Sequence, residues 1–339
     1  MRISILSILF IVLISYKEGV SQDIHFSQND VIPLYLSPAN TGEGCDVRAF
    51  LNHRSQWAAV TVPYVTFSAA ADKKLSGYKW LNGHDAGVGI ILSNDKAGDG
   101  EFTTTRIDLL GSYKFDFQSE IIKHLSLGLS MAYSRSSINF NKLHFGSQFN
   151  GDYYDPNLPS GEHFDRNAFG FVDFSLGALS VFRIKGYRID VGASLNHINS
   201  PKQKFYGDKD TRLYTRLNWY LKGYWNINSS NILYPFYYLY KQGRLREHNF
   251  GLLLKHSLPS MVVRNVYVGS WLRMGDAIVL KMGMDYNNFT LGFSYDINIS
   301  KLKVASGGKG AIELSMVYRI CPVKELPKKS LQYYCPEFL

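Results

Sequence analysis

The chain has 339 residues, 45% hydrophobic and 14% aromatic, with 23 Tyr and 21 Phe against 5 Trp, 29 Gly and 11 Pro. That length suits one large barrel or two ordinary domains, and beyond the N-terminus no stretch is apolar for long enough to form a transmembrane helix, which excludes a helical membrane bundle. The net charge of +9 comes from Lys and Arg scattered along strands and turns, with one dense run at Lys324 to Lys329, so a nucleic-acid-binding surface is disfavoured.

Met1 and Arg2 precede an almost uninterrupted apolar run, Ile3 to Ile14, and small residues stand at Gly19 and Ser21. The pattern predicts an export signal over 1–21, cleaved after Ser21, because the run falls short of the roughly 20 residues of a spanning helix. No Cys lies near the cleavage point, which argues against a lipid anchor. Residues 22–44 then read as a periplasmic N-terminal segment.

From residue 45, period-2 alternation recurs in segments of about ten residues, the length a tilted transmembrane strand requires. Such segments lie near 45–55, 64–74, 86–95, 103–118, 124–137, 168–183, 187–197, 211–225, 231–242, 247–258, 264–274, 276–286, 288–297 and 310–320. In the last of them Ile312, Leu314, Met316, Tyr318 and Ile320 oppose Glu313, Ser315 and Arg319. Likewise Ile278, Leu280, Met282 and Met284 oppose Lys281, Gly283 and Asp285, and Phe289, Leu291, Phe293 and Tyr295 oppose Thr290, Gly292, Ser294 and Asp296. The expectation is all-β: a transmembrane antiparallel up-and-down barrel of about fourteen strands over 45–320, in a bacterial outer membrane. An even count puts both termini on the periplasmic side, with 321–339 as a periplasmic tail. Lys185-Gly186 and Asn287-Asn288 are tight turns, whereas 138–167, 198–210 and 298–309 are long and share one side, which makes them extracellular.

The predicted inner face carries Arg106, Asp108, Lys114, Asp116, Arg188, Asp190, Arg212, Arg216, Lys222, Arg273 and Lys281. Both signs occur, which fits cross-strand ion pairs in the wall, or a partner-binding or selectivity surface. Cys45, Cys321 and Cys335 are too few for a disulfide framework, although Cys321 and Cys335, both beyond the last strand, can pair in an oxidising periplasm. No His or second Cys stands at ligand spacing beside them, so neither a metal nor a cofactor is expected. Gly98-Asp99-Gly100 after Asn94-Asp95 reads as a turn, since the distal Glu of a calcium loop is missing. With no G-x-S-x-G and no H-E-x-x-H pattern, no enzymatic activity is expected.

Several stretches carry a resemblance: His25-Phe-Ser-Gln28, Pro33 to Asn40, Asn52-His-Arg-Ser-Gln-Trp57, Pro63-Tyr64, Ala86 to Gly100, Tyr154 to Glu162, His197 to Gln203, Trp271-Leu-Arg273, Ser294 to Ser300 and Gly310 to Ser315. In this order they resemble the PorP/SprF family of outer-membrane proteins, found in Bacteroidota with the type IX secretion system. The resemblance runs from the expected mature N-terminus to the Cys335-Pro-Glu-Phe338 ending. It implies a barrel that supports export or surface retention of a secreted cell-surface protein, such as an adhesin or gliding protein, and that meets other lipoprotein or periplasmic components of the system. No catalytic residues carry over from the family. On the longest loop, Tyr153, Tyr154, Asp155 and Pro156 are the expected partner contacts, and Trp57 is expected in the aromatic belt. The alternative is a passive outer-membrane channel or solute transporter, which the charged inner face permits.

Overall fold

The computed structural model describes residues 23–60, 62–162, 166–203 and 211–321. The expected signal over 1–21, the tail beyond Cys321 and most of the loop at 198–210 lie outside the described residues. Among the described residues, fourteen antiparallel strands close into one barrel, each paired with its sequence neighbours and the first with the last. They are β1 (Val47–Gln56), β2 (Tyr64–Leu75), β3 (Asp85–Ala97), β4 (Phe102–Asp116), β5 (Ile122–Ser137), β6 (Ala168–Ile184) and β7 (Tyr187–Asn196). The second half comprises β8 (Arg216–Asn226), β9 (Asn231–Gln242), β10 (Leu245–Ser257), β11 (Val263–Arg273), β12 (Ala277–Tyr286), β13 (Phe289–Asn298) and β14 (Lys309–Ile320).

The wall forms because period-2 sequence meets two different solvents. Ile312 and Leu314 point outward and are 47% and 52% exposed, whereas Glu313 between them is fully buried in the lumen. On β12 Leu280 and Met282 face out while Lys281 is buried. In a soluble sandwich the apolar face would be covered; here it is a continuous bare band, which only lipid satisfies. The strand ends match the alternation to within two residues except at β8. That strand starts at Arg216, because the expected segment from 211 begins instead as a loop with an isolated bridge between Lys202 and Arg212.

Connections that follow odd-numbered strands gather at one rim, here the loop rim; it holds 138–167, 197–215 and 299–308. The opposite rim has the tight turn at Lys185-Gly186, with φ of +49° and +86°, and the ends of the strand ring at Cys45 and Cys321. Those two cysteines form the disulfide, with Cα atoms 4.1 Å apart. Cys321 is thereby taken, so the Cys321–Cys335 pairing that the sequence left open does not form. The closure of β1 on β14 brings Cys45 to Cys321, a proximity that arises only in the ring, whereas Cys335 lies outside the described residues. The bridge closes a loop with a sequence separation of 276 residues, so chain entropy sets its ceiling at about 5 kcal/mol. Reduction is expected to lower the thermal midpoint of the barrel in detergent, measured by circular dichroism with and without reductant; an unchanged midpoint would show that the β1–β14 ladder suffices.

A second correction concerns residues 22–44. Their described part does not stand apart from the barrel in the periplasm: it runs through the lumen. Phe26, Val31, Ile32, Leu34, Leu36 and Ala39 are all buried, several against inward apolar residues of the wall such as Phe50, Ile91, Leu110 and Val317. Two 3-10 turns, Pro33–Tyr35 and Pro38–Asn40, compact the segment, each with Pro in the first turn where its missing N–H costs nothing. Asp23 sits at the loop rim beside His197 and Gln242, and the segment descends to Cys45 at the opposite rim. The first described residue and Cys321 therefore lie at opposite ends of the barrel, not on one side.

Candidate functional site

The lumen plug, residues 23–44, is held at three levels, and the top level is an ion-pair chain. His197, just past β7, contacts Asp173 through Nδ1 at 2.6 Å and Asp23 through Nε2 at 2.5 Å. Arg106 continues the chain to Asp173 and Asp108, both at 2.8 Å. Burial alone would lower the His197 pKa, but the flanking Asp23 and Asp173 carboxylates raise it to about 9. Burial would likewise raise the Asp23 carboxyl, yet His197, Arg216 and Arg106 hold it below the usual carboxylate range. His197 binds its proton more tightly when folded, so its contribution is complete below about pH 6.5 and is lost as pH rises through about 9. Asp23 behaves oppositely and fails only in acid. The plug tip is therefore expected to loosen between pH 7 and 10 by on the order of 3 kcal/mol. Amide protection factors at Ile24 to Gln28, taken against the unstructured rate at each pH, should fall over that range in the native chain and stay flat in His197→Gln.

The second level is a clamp at Ser27 and Gln28. Glu313 accepts both of their backbone N–H groups, at 2.7 and 3.0 Å. Ser27 Oγ donates to Asp296 at 2.7 Å and accepts from Arg54 at 2.6 Å and Arg273 at 2.8 Å. Arg54 in turn meets Asp296 and Glu313 at 2.9 and 3.1 Å, and Asn52 donates to Glu313 at 2.8 Å. Gln28 donates to the Glu313 carbonyl at 3.1 Å and accepts from Ser315 at 2.8 Å. Two arginines and two carboxylates, each about 2% exposed or less, thus neutralise each other around one serine. Burial at this depth demands that every charge be paired and hydrogen-bonded.

The third level is close packing of backbone on backbone, ending in an anchor. A Cβ on Gly128 of β5 would lie 2.3 Å from Ala39 N, and one on Gly87 of β3 would lie 2.3 Å from Thr41 O. Only glycine lets the plug touch the wall there. Below, Glu43 meets Lys114 at 3.2 Å, His124 at 3.2 Å and Arg188 at 3.4 Å. Burial would raise the Glu43 carboxyl, but His124, Lys114 and Arg188 hold it well below its ordinary range.

Above the plug, a cavity of about 950 Å³ is lined by inward residues at the loop-rim ends of the strands. Tyr35, Leu34 and Pro38 of the plug contribute to its lining, with Tyr64, Phe102, Phe169, Phe171 and Trp57 around it. We call it the vestibule. Trp57 thus faces inward, its ring against Tyr64 at 5.1 Å, rather than standing in a lipid-facing belt.

Of the residues expected in the lumen, Arg106, Asp108, Arg188, Asp190, Arg216, Lys222 and Arg273 face it. Arg188 and Asp190 pair at 2.7 Å, Arg216 meets Asp23 at 3.6 Å, and Lys222 lies over the rings of Tyr220 and Tyr238. Lys114 and Lys281 also point inward, Lys281 to Asp30 of the plug at 2.5 Å. Arg212 is the exception: it is exposed in the β7–β8 connection, outside the strand assigned to it. Asp116 lies exposed at the far end of β4. On the longest loop, Tyr153 is 62% exposed, Tyr154 stacks on His144 at 4.1 Å, and Asp155 N donates to Gln148 O at 2.9 Å. Tyr154 and Asp155 thus help fold the loop on itself, with Pro156 following in the same exposed turn. Gly98, with φ of +66°, forms the expected turn.

Alternation alone missed the clamp, since Glu313, Asp296 and Asn52 are single polar residues on three different strands. The signal was present in the stretches that carried the resemblance: residues 25–28, 52–57, 271–273, 294–300 and 310–315 all deliver side chains to this one cluster. The family model described as type IX secretion system membrane protein PorP/SprF matches residues 19–318. The chain belongs to the PorP/SprF family.

Solved structures place this PorP/SprF protein among outer-membrane barrels. The toluene transporter TbuX of Ralstonia pickettii aligns with a TM-score of 0.53 at 10% identity, over 89% of this chain and 96% of that one. CdiB of Acinetobacter baumannii gives 0.42 at 8% identity over 80% and 60% of the two chains. The outer-membrane protein Omp33 of the same species gives 0.38 at 9% over 82% and 100%. The TbuX likeness concerns the fold alone. Among curated proteins, none matches the chain.

Proposed function

We propose that this PorP/SprF barrel is a non-enzymatic interaction protein that binds a secreted surface protein carrying a type IX sorting domain and supports its export or retention. The observation that carries the reading is the plugged lumen beneath an elaborate loop rim. A barrel whose interior is locked at three levels is built to present its rim rather than to pass solute freely. In this reading the signal over 1–21 is removed, the loop rim faces the exterior, and the tail reaches other secretion components in the periplasm. Tyr153 to Pro156, on the largest connection at that rim, supply contact surface for an adhesin or gliding protein.

The test is affinity purification from detergent-solubilised outer membranes, with mass spectrometry of what co-purifies, beside a deletion strain. A large sorting-domain protein should co-purify, and deletion should leave it degraded, retained inside or released. Normal surface amounts of every such protein in the deletion strain would sink the reading. One observation favours a second reading, a small-solute transporter: the vestibule has the volume of a ligand site, on a fold shared with TbuX. Uptake that depends on this barrel would favour it.

A further inference from the structure

The inward face of β5 and its neighbours binds peptide main chain in the lower lumen. Ser126 Oγ donates to Ala39 O at 2.8 Å, Ser112 Oγ to Thr41 O at 2.6 Å, and Ser194 Oγ to Leu36 O at 2.7 Å. Main-chain carbonyls in and beside the two 3-10 turns are therefore captured by hydroxyls spaced along the wall, while the glycines beside them allow close approach. Further up β5 the same inward row continues as Ser130, Ser134 and Ser136, and there it lines the vestibule instead of the plug.

Two further features face the same space. Asp95 accepts from Thr66 at 2.6 Å, and among the described residues no cation forms an ion pair with it, in a lumen where nearly every other carboxylate has one. Tyr64 and Phe171 present apolar ring surface to the cavity. A wall of hydroxyls with a carboxylate that no cation neutralises, beside aromatic faces, suits a polypeptide better than an apolar solute, which would bring no charge to Asp95 and no hydrogen bonds to the hydroxyl row.

We propose that the vestibule is a second peptide site, taking an extended segment of the secreted partner with its main chain along the β5 serines, a Lys or Arg side chain at Asp95 and an apolar side chain between Tyr64 and Phe171. This rests on the interaction reading above and names where that interaction is made. The plug supplies the floor, so the inserted segment stops at Leu34 and Tyr35 and does not cross the barrel.

The test uses the full-length barrel in its native outer membrane. A photoreactive benzoylphenylalanine replaces Phe171 in the vestibule or, as a control, Leu129 on the lipid face. Asp95→Lys and Asp95→Asn are purified in parallel, with heat-dependent gel mobility confirming that each barrel is folded. The expected result is a crosslink to the co-purifying protein from position 171 and none from 129. Asp95→Lys should also reduce capture of that protein at least tenfold, and Asp95→Asn should reduce it less. If the partner co-purifies undiminished with folded Asp95→Lys and position 171 gives no crosslink, the vestibule site is overturned while the interaction reading stands. If nothing co-purifies even with the unaltered barrel, both fall. Recovery of a small apolar compound from the vestibule in place of a peptide crosslink would also overturn the peptide assignment.

Discussion

Replacing Glu313 by alanine is expected to release the upper half of the plug. Its carboxylate receives two successive backbone N–H groups of the plug and lies against Arg54, at zero exposure. Removing it leaves a buried guanidinium short of charge and two buried donors short of acceptors. Losing one partner of a buried pair costs about 3–5 kcal/mol, and the orphaned donors add to that. Glu313→Gln keeps one acceptor oxygen and should lose less. The measurement is amide exchange along Ser27 to Leu36, with the denaturant midpoint of the whole barrel beside it. Exchange should accelerate by two orders of magnitude or more while the strand ladders stay protected. Unchanged protection in folded Glu313→Ala would mean that the apolar contacts of Val31, Ile32 and Leu34 hold the plug unaided.

The second large effect is electrical. Among the described residues, the plug is the segment that crosses the lumen, so deleting residues 23–42 should turn a closed barrel into a conducting one. The wall does not need the plug to close, because β1 pairs with β14 over ten residue pairs and Cys45 is joined to Cys321. The deletion removes Asp23 and Asp30 and leaves Arg216 and Lys281 without those partners. Fixed positive charge lining a water-filled pore favours anions. In planar bilayers the full chain should show no resolved steps, and the deleted chain should show anion-preferring steps. Equal conductance in the two would place the permeation path elsewhere and strengthen the transporter reading.

The interior also explains why the lumen charges carried so little meaning when read alone. Arg54 and Arg273 are each one polar residue in an alternating strand, indistinguishable by pattern from Lys222, which rests on tyrosine rings. Their role depends on Ser27, which arrives from a segment outside the ring of strands. His197 was a residue at a strand end until Asp173 and Asp23 were placed on its two sides. The N-terminal segment is ambiguous for a similar reason: Ile32, Leu34 and Leu36 do alternate, but only over five residues and across Pro33, too short a run for a spanning strand, and nothing local shows that they are buried inside the barrel.

By itself the sequence determined the wall. Lipid outside and a polar interior impose a two-residue period that each strand satisfies within its own ten or so residues, and loop lengths sorted themselves onto one rim through strand parity alone. Only the tertiary structure decided what fills the wall, which cysteines join and which end of the barrel the plug enters. Those features depend on contacts such as Ser27 N to Glu313, 286 residues apart, and contacts at that separation leave no periodicity for a linear reading to find.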